Sequence, residues 1–291
     1  MESLPNALLS HILSFLSYPE VIKTLSRLSK SFSTRVPTII KTINHINIPT
    51  NVSLSTKKAM CLTHTLQCTH ITITANIDPL HRWASNRQIF QCFPTKLLFL
   101  EVQPTTVERE FFEQLREVMP RLKNLTVLRF RYLTCFDWRF WGKLGDLENL
   151  KELRVDGTPI GYGWKGIGEG WWPRFRLEVL RLPEVEGTRE MVKRIVEFVM
   201  LFQETLREVW IGGFKKGDIV DRFEEGVTFR KMKVVGGMVH SYSTELWLSL
   251  LNCCLFVETV DLKLTKFLDS PEEVGEMFSP LLRFKNSLKF V

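Results

Sequence analysis

The chain has 291 residues, 44 % of them apolar and 24 % charged, with a formal net charge of +7. That is an ordinary globular composition, long enough to bury a large core as one elongated domain or two compact ones, and too long to need disulfide staples. The charge sits at one end: residues 1–100 hold ten Lys/Arg against three Asp/Glu, and the remaining 29 and 29 cancel. This excess is either a solvated face or a surface that meets an acidic protein or nucleic acid. The six cysteines (Cys61, Cys68, Cys92, Cys135, Cys253, Cys254) show no CxxC pair or zinc spacing, which predicts reduced thiols and a cytoplasmic or nuclear setting.

The chain begins MESLPNALLSHILSFLSYPEVIKTLSRLSKSF. A secretion signal needs a positive leader and an unbroken apolar run. Here the first charge is Glu2, and Pro5, Ser10, His11 and Ser14 interrupt the run, which is also far short of a membrane span. Two readings survive: the first element of a core, or a docking helix for a partner. Ser3 can cap a helix opening at Leu4-Pro5, where proline is tolerated. Leu8, Leu9, Ile12, Leu13 and Leu16 then recur at helical spacing. Tyr18-Pro19 ends that helix, and Val21, Ile22, Leu25 and Leu28 mark a second that stops before Pro37. Two or three short helices form a bundle too small to stand alone.

These residues resemble an F-box over roughly residues 1–40: the Leu4-Pro5 opening, Ile12-Leu13-x-x-Leu16 in the first helix, and the Leu28-Ser29-Lys30-Ser31-Phe32 ending. Ala7 departs from the acid often found there, and Phe32 from the frequent Trp. The resemblance implies docking on a Skp1-like adaptor, and through it a cullin, in a ubiquitin ligase. The contributing residues would be Leu4, Pro5, Leu9, Ile12, Leu13, Leu16, Leu28 and Phe32.

From residue 41 onward one pattern returns: apolar, two residues, apolar, one residue, apolar. It reads INHINI (43–48), CTHITI (68–73), LLFLEV (97–102), LTVLRF (125–130), LKELRV (150–155), LEVLRL (177–182), LREVWI (206–211), FRKMKV (229–234) and VETVDL (257–262), with LKFV (288–291) stopping mid-unit. The spacings centre on the 20–29 residues of leucine-rich repeats. The strand-following Asn of that family appears only as Asn51 and Asn76. The region 41–291 therefore resembles about nine irregular leucine-rich repeats. Connecting segments 107–119, 189–202 and 243–256 carry apolar residues at helical spacing, as do 56–66 and 271–282 more weakly. The predicted fold class is α/β: a short helical F-box, then a curved solenoid with parallel strands on the concave side and helices on the convex side.

Side chains alternate along a strand, so the residue between the last two apolar positions points away from the core. That column reads Asn47, Thr72, Glu101, Arg129, Arg154, Arg181, Trp210, Lys233 and Asp261. Cations on neighbouring strands repel unless acids intervene. Glu152, Asp156 and Glu208 could supply that relief internally. Alternatively Arg129, Arg154, Arg181 and Lys233, with Trp210 as an aromatic anchor, form a groove for an acidic or phosphorylated target.

The loop 156–175 contains Gly161-x-Gly163-x-x-Gly166, but Gly168, Gly170 and Pro173 exclude the helix that a dinucleotide site needs. Trp164, Trp171 and Trp172 either pack on a neighbouring repeat or hold a partner. His45 and His70 occupy equivalent strand positions, a pair of neutral histidines rather than a metal site. No nucleophile elbow, HExxH or P-loop is present, so no catalytic residue, metal or cofactor is assigned. The expected function is target recognition within a Skp1–cullin–F-box ligase. The alternatives are a Skp1-independent repeat scaffold, a nucleic-acid binder using the arginine column, and, last, an enzyme.

Overall fold

A computed structural model describes residues 5, 45–49, 69–74, 96–103, 109–133, 142–157, 173–186, 189–215, 223, 226–239, 243–264, 275 and 279–288. The chain divides into two compact units, Met1–Leu133 with Lys143–Leu150 and Thr134–Gly142 with Lys151–Val291.

The first unit contains strands β1 (His45–Pro49), β2 (His70–Thr74), β3 (Phe99–Gln103) and β4 (Val127–Leu133), side by side in chain order. All the described pairs are parallel and in step, with Ile46 opposite Ile71, Ile71 opposite Leu100 and Leu100 opposite Leu128. Helix α1 (Arg109–Val118) lies on the crossover from β3 to β4 and buries Leu115 and Val118, one helical turn apart. A 3-10 turn at Met119–Arg121 follows, in which Pro120 occupies an early position that needs no N–H donor.

The second unit contains β5 (Glu152–Gly157), β6 (Val179–Leu182), β8 (Glu208–Ile211), β10 (Val234–Val239) and β11 (Thr259–Leu264), again parallel where paired and in that order. Short strands β7 (Val185–Glu186) and β9 (Phe214–Lys215) pair separately. Helix α2 (Arg189–Met200) precedes β8 and buries Val192, Ile195, Val196 and Val199, an i, i+3, i+4, i+7 stripe. Helix α3 (Thr244–Cys253) precedes β11 and buries Leu246, Trp247, Leu250 and Leu251. The predicted helices at 107–119, 189–202 and 243–256 are therefore present with shorter ends. The segment 56–66 lies outside the described residues. Of 271–282, the described part ends in a 3-10 turn, Ser279–Phe284.

The stack is built by repetition of three apolar positions. Leu97, Leu125, Leu150, Leu177, Leu206, Met232 and Val257 fill the first position and are all fully buried. Each buried leucine contributes about 1.5–3 kcal/mol. At the entrances to β3, β4, β6, β8, β10 and β11, one carbonyl accepts two successive amides of the next repeat. Leu98 and Phe99 share Thr69 O, Glu178 and Val179 share Lys151 O, and Lys233 and Val234 share Arg207 O. This fixes the register independently of side chains.

Side-chain donors tie the repeats as well. Thr205 Oγ1 donates to Leu177 O at 2.7 Å, Ser287 Oγ to Val257 O at 2.7 Å, and Asn149 Nδ2 to Lys123 O at 2.8 Å. These residues stand just before a first apolar position. They satisfy backbone carbonyls that would otherwise lack partners between repeats.

Candidate functional site

The outward column is set by register. In the first unit Thr72, Glu101 and Arg129 are successive partners. In the second, Arg154 faces Arg181, Arg181 faces Trp210, Trp210 faces Gly236 and Gly236 faces Asp261. Lys233 is not in this column, which corrects the position read from FRKMKV. Met232, not Phe229, is the first apolar residue of that repeat. Consequently the first positions 206, 232 and 257 lie 26 and 25 residues apart, more evenly than the sequence pattern suggested. The frame is hidden because Gly237 takes the last apolar position. A Cβ there would lie 2.6 Å from Trp247 Cη2, so the Trp247 ring fills the space of the missing side chain.

Lys233 instead enters a second column at the strand entrances, Lys151, Glu178, Arg207, Lys233 and Glu258. Lys151 Nζ is 3.3 Å from Glu178, Arg207 Nη1 is 3.6 Å from Glu178, and Lys233 Nζ is 2.8 Å from Glu258. These pairs are solvent-exposed on their basic side and each contributes about 0–1 kcal/mol.

In the first unit the column is self-neutralised. The Glu101 carboxylate is 7 % exposed, 3.1 Å from Arg131 Nε and 3.9 Å from Arg129 Nη1, and it accepts a bond from Gln103 Nε2 at 2.5 Å. The Arg129 guanidinium lies 5.1 Å from the Phe99 ring centre, and Phe99 stacks on His70 at 5.4 Å. His45 and His70 are Cα partners, as the equivalence of their repeats predicts.

In the second unit the arginines differ. Arg154 is 2.8 Å from Glu152 through Nε and 3.9 Å from Glu208 through Nη2. Arg181, beside it, has no carboxylate within ion-pair distance among the described residues. Its guanidinium lies 5.0 Å from the Trp210 ring centre, a cation–π stack. Its Nε is shielded from solvent and has no hydrogen-bond partner; Arg154 Nε also lacks hydrogen-bond geometry, although the Glu152 carboxylate lies beside it. Trp210 rests on Gly236, where a Cβ would come within 2.2 Å of Trp210 Cδ1. The stack therefore runs Arg181, Trp210, Gly236, and any larger residue at 236 moves the indole. Sequence reasoning missed Gly236, although paired glycines inside a strand signal a close approach.

Of the eight residues assigned to adaptor docking, Leu4, Leu9, Ile12, Leu13, Leu16, Leu28 and Phe32 lie outside the described residues, and Pro5 is exposed. The glycine/tryptophan segment from Thr158 to Trp172 also lies outside them. Among the described residues there is no group of three or more metal-ligating side chains, and no helix is long and apolar enough to cross a membrane. A crevice lined by Ile211, Phe214 and Trp247 has room for about one water-sized molecule.

Cys253 and Cys254 are free thiols. Burial pushes Cys254 up to about 12, with Cys253 adding to the shift and Arg283 opposing it. Burial also raises Cys253, again against Arg283. A raised thiol pKa favours the neutral form. The associated stability is complete below the unfolded-state value and is lost as pH climbs through the folded one. Iodoacetamide at pH 8, read residue by residue by mass spectrometry, is expected to label Cys254 only after urea unfolding. Labelling of Cys254 in the folded chain at the unfolded rate would contradict this environment.

The family profile for the F-box domain matches residues 1–41. No curated protein sequence matches the chain. Among solved structures, the leucine-rich repeat-containing protein LegL7 from Legionella pneumophila aligns at 8 % identity, covering 84 % of this chain and 93 % of that one, with a TM-score of 0.37.

Proposed function

We propose that this chain is the target-recognition subunit of a Skp1–cullin–F-box ubiquitin ligase. The observation that carries the reading is the F-box match at residues 1–41, followed in the same chain by stacked parallel-strand repeats with outward-facing side chains. F-box domains typically dock on Skp1-like adaptors. Leu4, Pro5, Leu9, Ile12, Leu13, Leu16, Leu28 and Phe32 would supply the apolar contact surface here. The repeat face, with Arg129, Arg154, Arg181 and Trp210, would hold the target. Lys233 stands outside this column, at a strand entrance beside Glu258.

In this role the chain supplies no acid, base or nucleophile. It raises the effective concentration of a target lysine near the charged ubiquitin-conjugating enzyme, so the gain is one of proximity. The ligase machinery would place the chain in the cytoplasm or nucleus.

The test is capture of purified Skp1 by the full chain and by the Leu9→Asp/Ile12→Asp double variant. The unaltered chain is expected to retain Skp1 and the double variant to lose at least about 100-fold in affinity, since two charges would enter an apolar interface. Unchanged far-ultraviolet circular dichroism of the variant assigns the loss to the surface and not to unfolding. No capture by the unaltered chain, or equal capture by both, overturns the proposal.

A further inference from the structure

We infer that Arg181 and Trp210 form a subsite for a single carboxylate side chain of the target, in preference to a phosphorylated one. This rests on the reading of the repeat face as the target-binding surface and names the chemistry it selects.

The described acids of the column are already engaged or remote. Glu101 holds Arg129 and Arg131 in the first unit, Glu152 and Glu208 flank Arg154, and Glu258 holds Lys233. Arg181 alone among Arg129, Arg154, Arg181 and Lys233 has no carboxylate partner among the described residues; Nε lacks a hydrogen-bond acceptor in both Arg154 and Arg181, but only that of Arg154 lies beside a carboxylate. Nε is the shielded atom of this guanidinium, so an external oxyanion meets the Nη atoms, where a charge-assisted bond has no internal acid to displace. The guanidinium is also held in place: the Trp210 indole lies against it, and the absence of a Cβ at Gly236 leaves the indole the room it occupies. A pre-positioned planar fork loses little freedom on binding and matches the two oxygens of one carboxylate.

The same arrangement disfavours a phosphate dianion. Its desolvation cost grows with the square of the charge, while its attraction to a single guanidinium grows only linearly. The neighbouring cation cannot help, because Arg154 is already bracketed by Glu152 and Glu208, and those two carboxylates repel the second negative charge.

The test uses the full chain labelled with nitrogen-15. Its readout is the Trp210 indole N–H resonance, assigned by its disappearance in Trp210→Phe. Three probes are titrated: acetyl-Ala-Glu-Ala-amide, the glutamine counterpart, and the phosphoserine counterpart. The glutamate peptide is expected to shift the resonance saturably, the glutamine peptide to leave it unmoved, and the phosphoserine peptide to bind more weakly than glutamate. Arg181→Gln is expected to abolish the shift and Arg181→Lys to weaken binding, because lysine keeps the charge without the fork. Gly236→Ala displaces the indole and is expected to weaken glutamate binding while leaving Arg181 in place. The inference is overturned if phosphoserine binds more tightly than glutamate, if the glutamate shift survives Arg181→Gln, or if glutamate gives no saturable shift. Skp1 capture by the same samples separates the two readings. Capture without glutamate binding removes only the subsite, and glutamate binding without capture removes only the ligase role.

Discussion

Gly237→Ala is expected to destabilise the second unit by roughly 3 kcal/mol or more, with no change in the first. A Cβ at this position would lie 2.1 Å from the carbonyl oxygen of Ile211 and 2.6 Å from Trp247 Cη2. The first contact is backbone, in the adjacent strand of the same ladder, and cannot retreat without breaking register. The second is a ring that is 2 % exposed, packed in the core by α3. Gly237 also has φ of 155°, at the margin of the region that L side chains avoid. Gly236→Ala makes the informative comparison. The three atoms nearest its Cβ would all belong to Trp210, a partly buried side chain on the opposite face that can swing away. It should therefore cost less than about 1.5 kcal/mol. Urea denaturation of the two variants measures the difference, and equal losses would mean that Trp247 does not occupy the space beside Gly237.

Glu101→Ala is the second large effect, expected to cost about 2–3 kcal/mol in the first unit. The carboxylate is almost wholly buried and accepts from Gln103 while facing Arg131 and Arg129. Removing it leaves two cations on the same strand, two residues apart, and an amide without its acceptor. The loss stays below that of a fully buried pair because Arg131 and Arg129 are 44 % and 28 % exposed and recover solvation. Glu101→Gln keeps the shape and an acceptor, so it should lose about half as much. A thermal or urea midpoint shift for Glu101→Ala no larger than that of a surface substitution would show that the cluster contributes little.

The repeat architecture was legible because its signal is redundant. Leu97, Leu125, Leu150, Leu177 and Leu206 recur at a period that a chance sequence would not sustain, and each misassigned unit is corrected by its neighbours. The one error of frame arose where a glycine replaced an apolar residue: 229–234 fills all three apolar positions with Phe229, Met232 and Val234, whereas the true frame has Gly237 in the last. Periodicity counts side chains and is blind to a position whose volume is supplied by another part of the chain, here Trp247 of α3. The outward column was legible for the same reason that the core was, since alternation fixes which residues share a face.

What that face does chemically was not legible. Arg154 and Arg181 look alike in the sequence, two arginines at the same step of adjacent repeats. Three-dimensional neighbours distinguish them: Glu152 and Glu208 reach Arg154, while Arg181 lies on Trp210. Likewise, Thr205 and Ser287 carry no repeat signature, yet they bond the preceding repeat because their hydroxyls fall within reach of Leu177 O and Val257 O.

The sequence by itself determined the opening F-box motif, the repeat period, the parallel α/β class and the outward-facing position of each repeat except the one at 232–237. Each of these depends on spacing along the chain, and spacing is what a sequence records. Only the tertiary structure decided the register at Gly236 and Gly237, the removal of Lys233 from the column, and which of the column's arginines has no acid partner among the described residues. Those outcomes depend on groups that are 10 to 54 residues apart in sequence, such as Gly237 with Trp247 and Arg154 with Glu208, and a few ångströms apart in space. At that range ion pairing and ring contact are settled by packing, not by pattern.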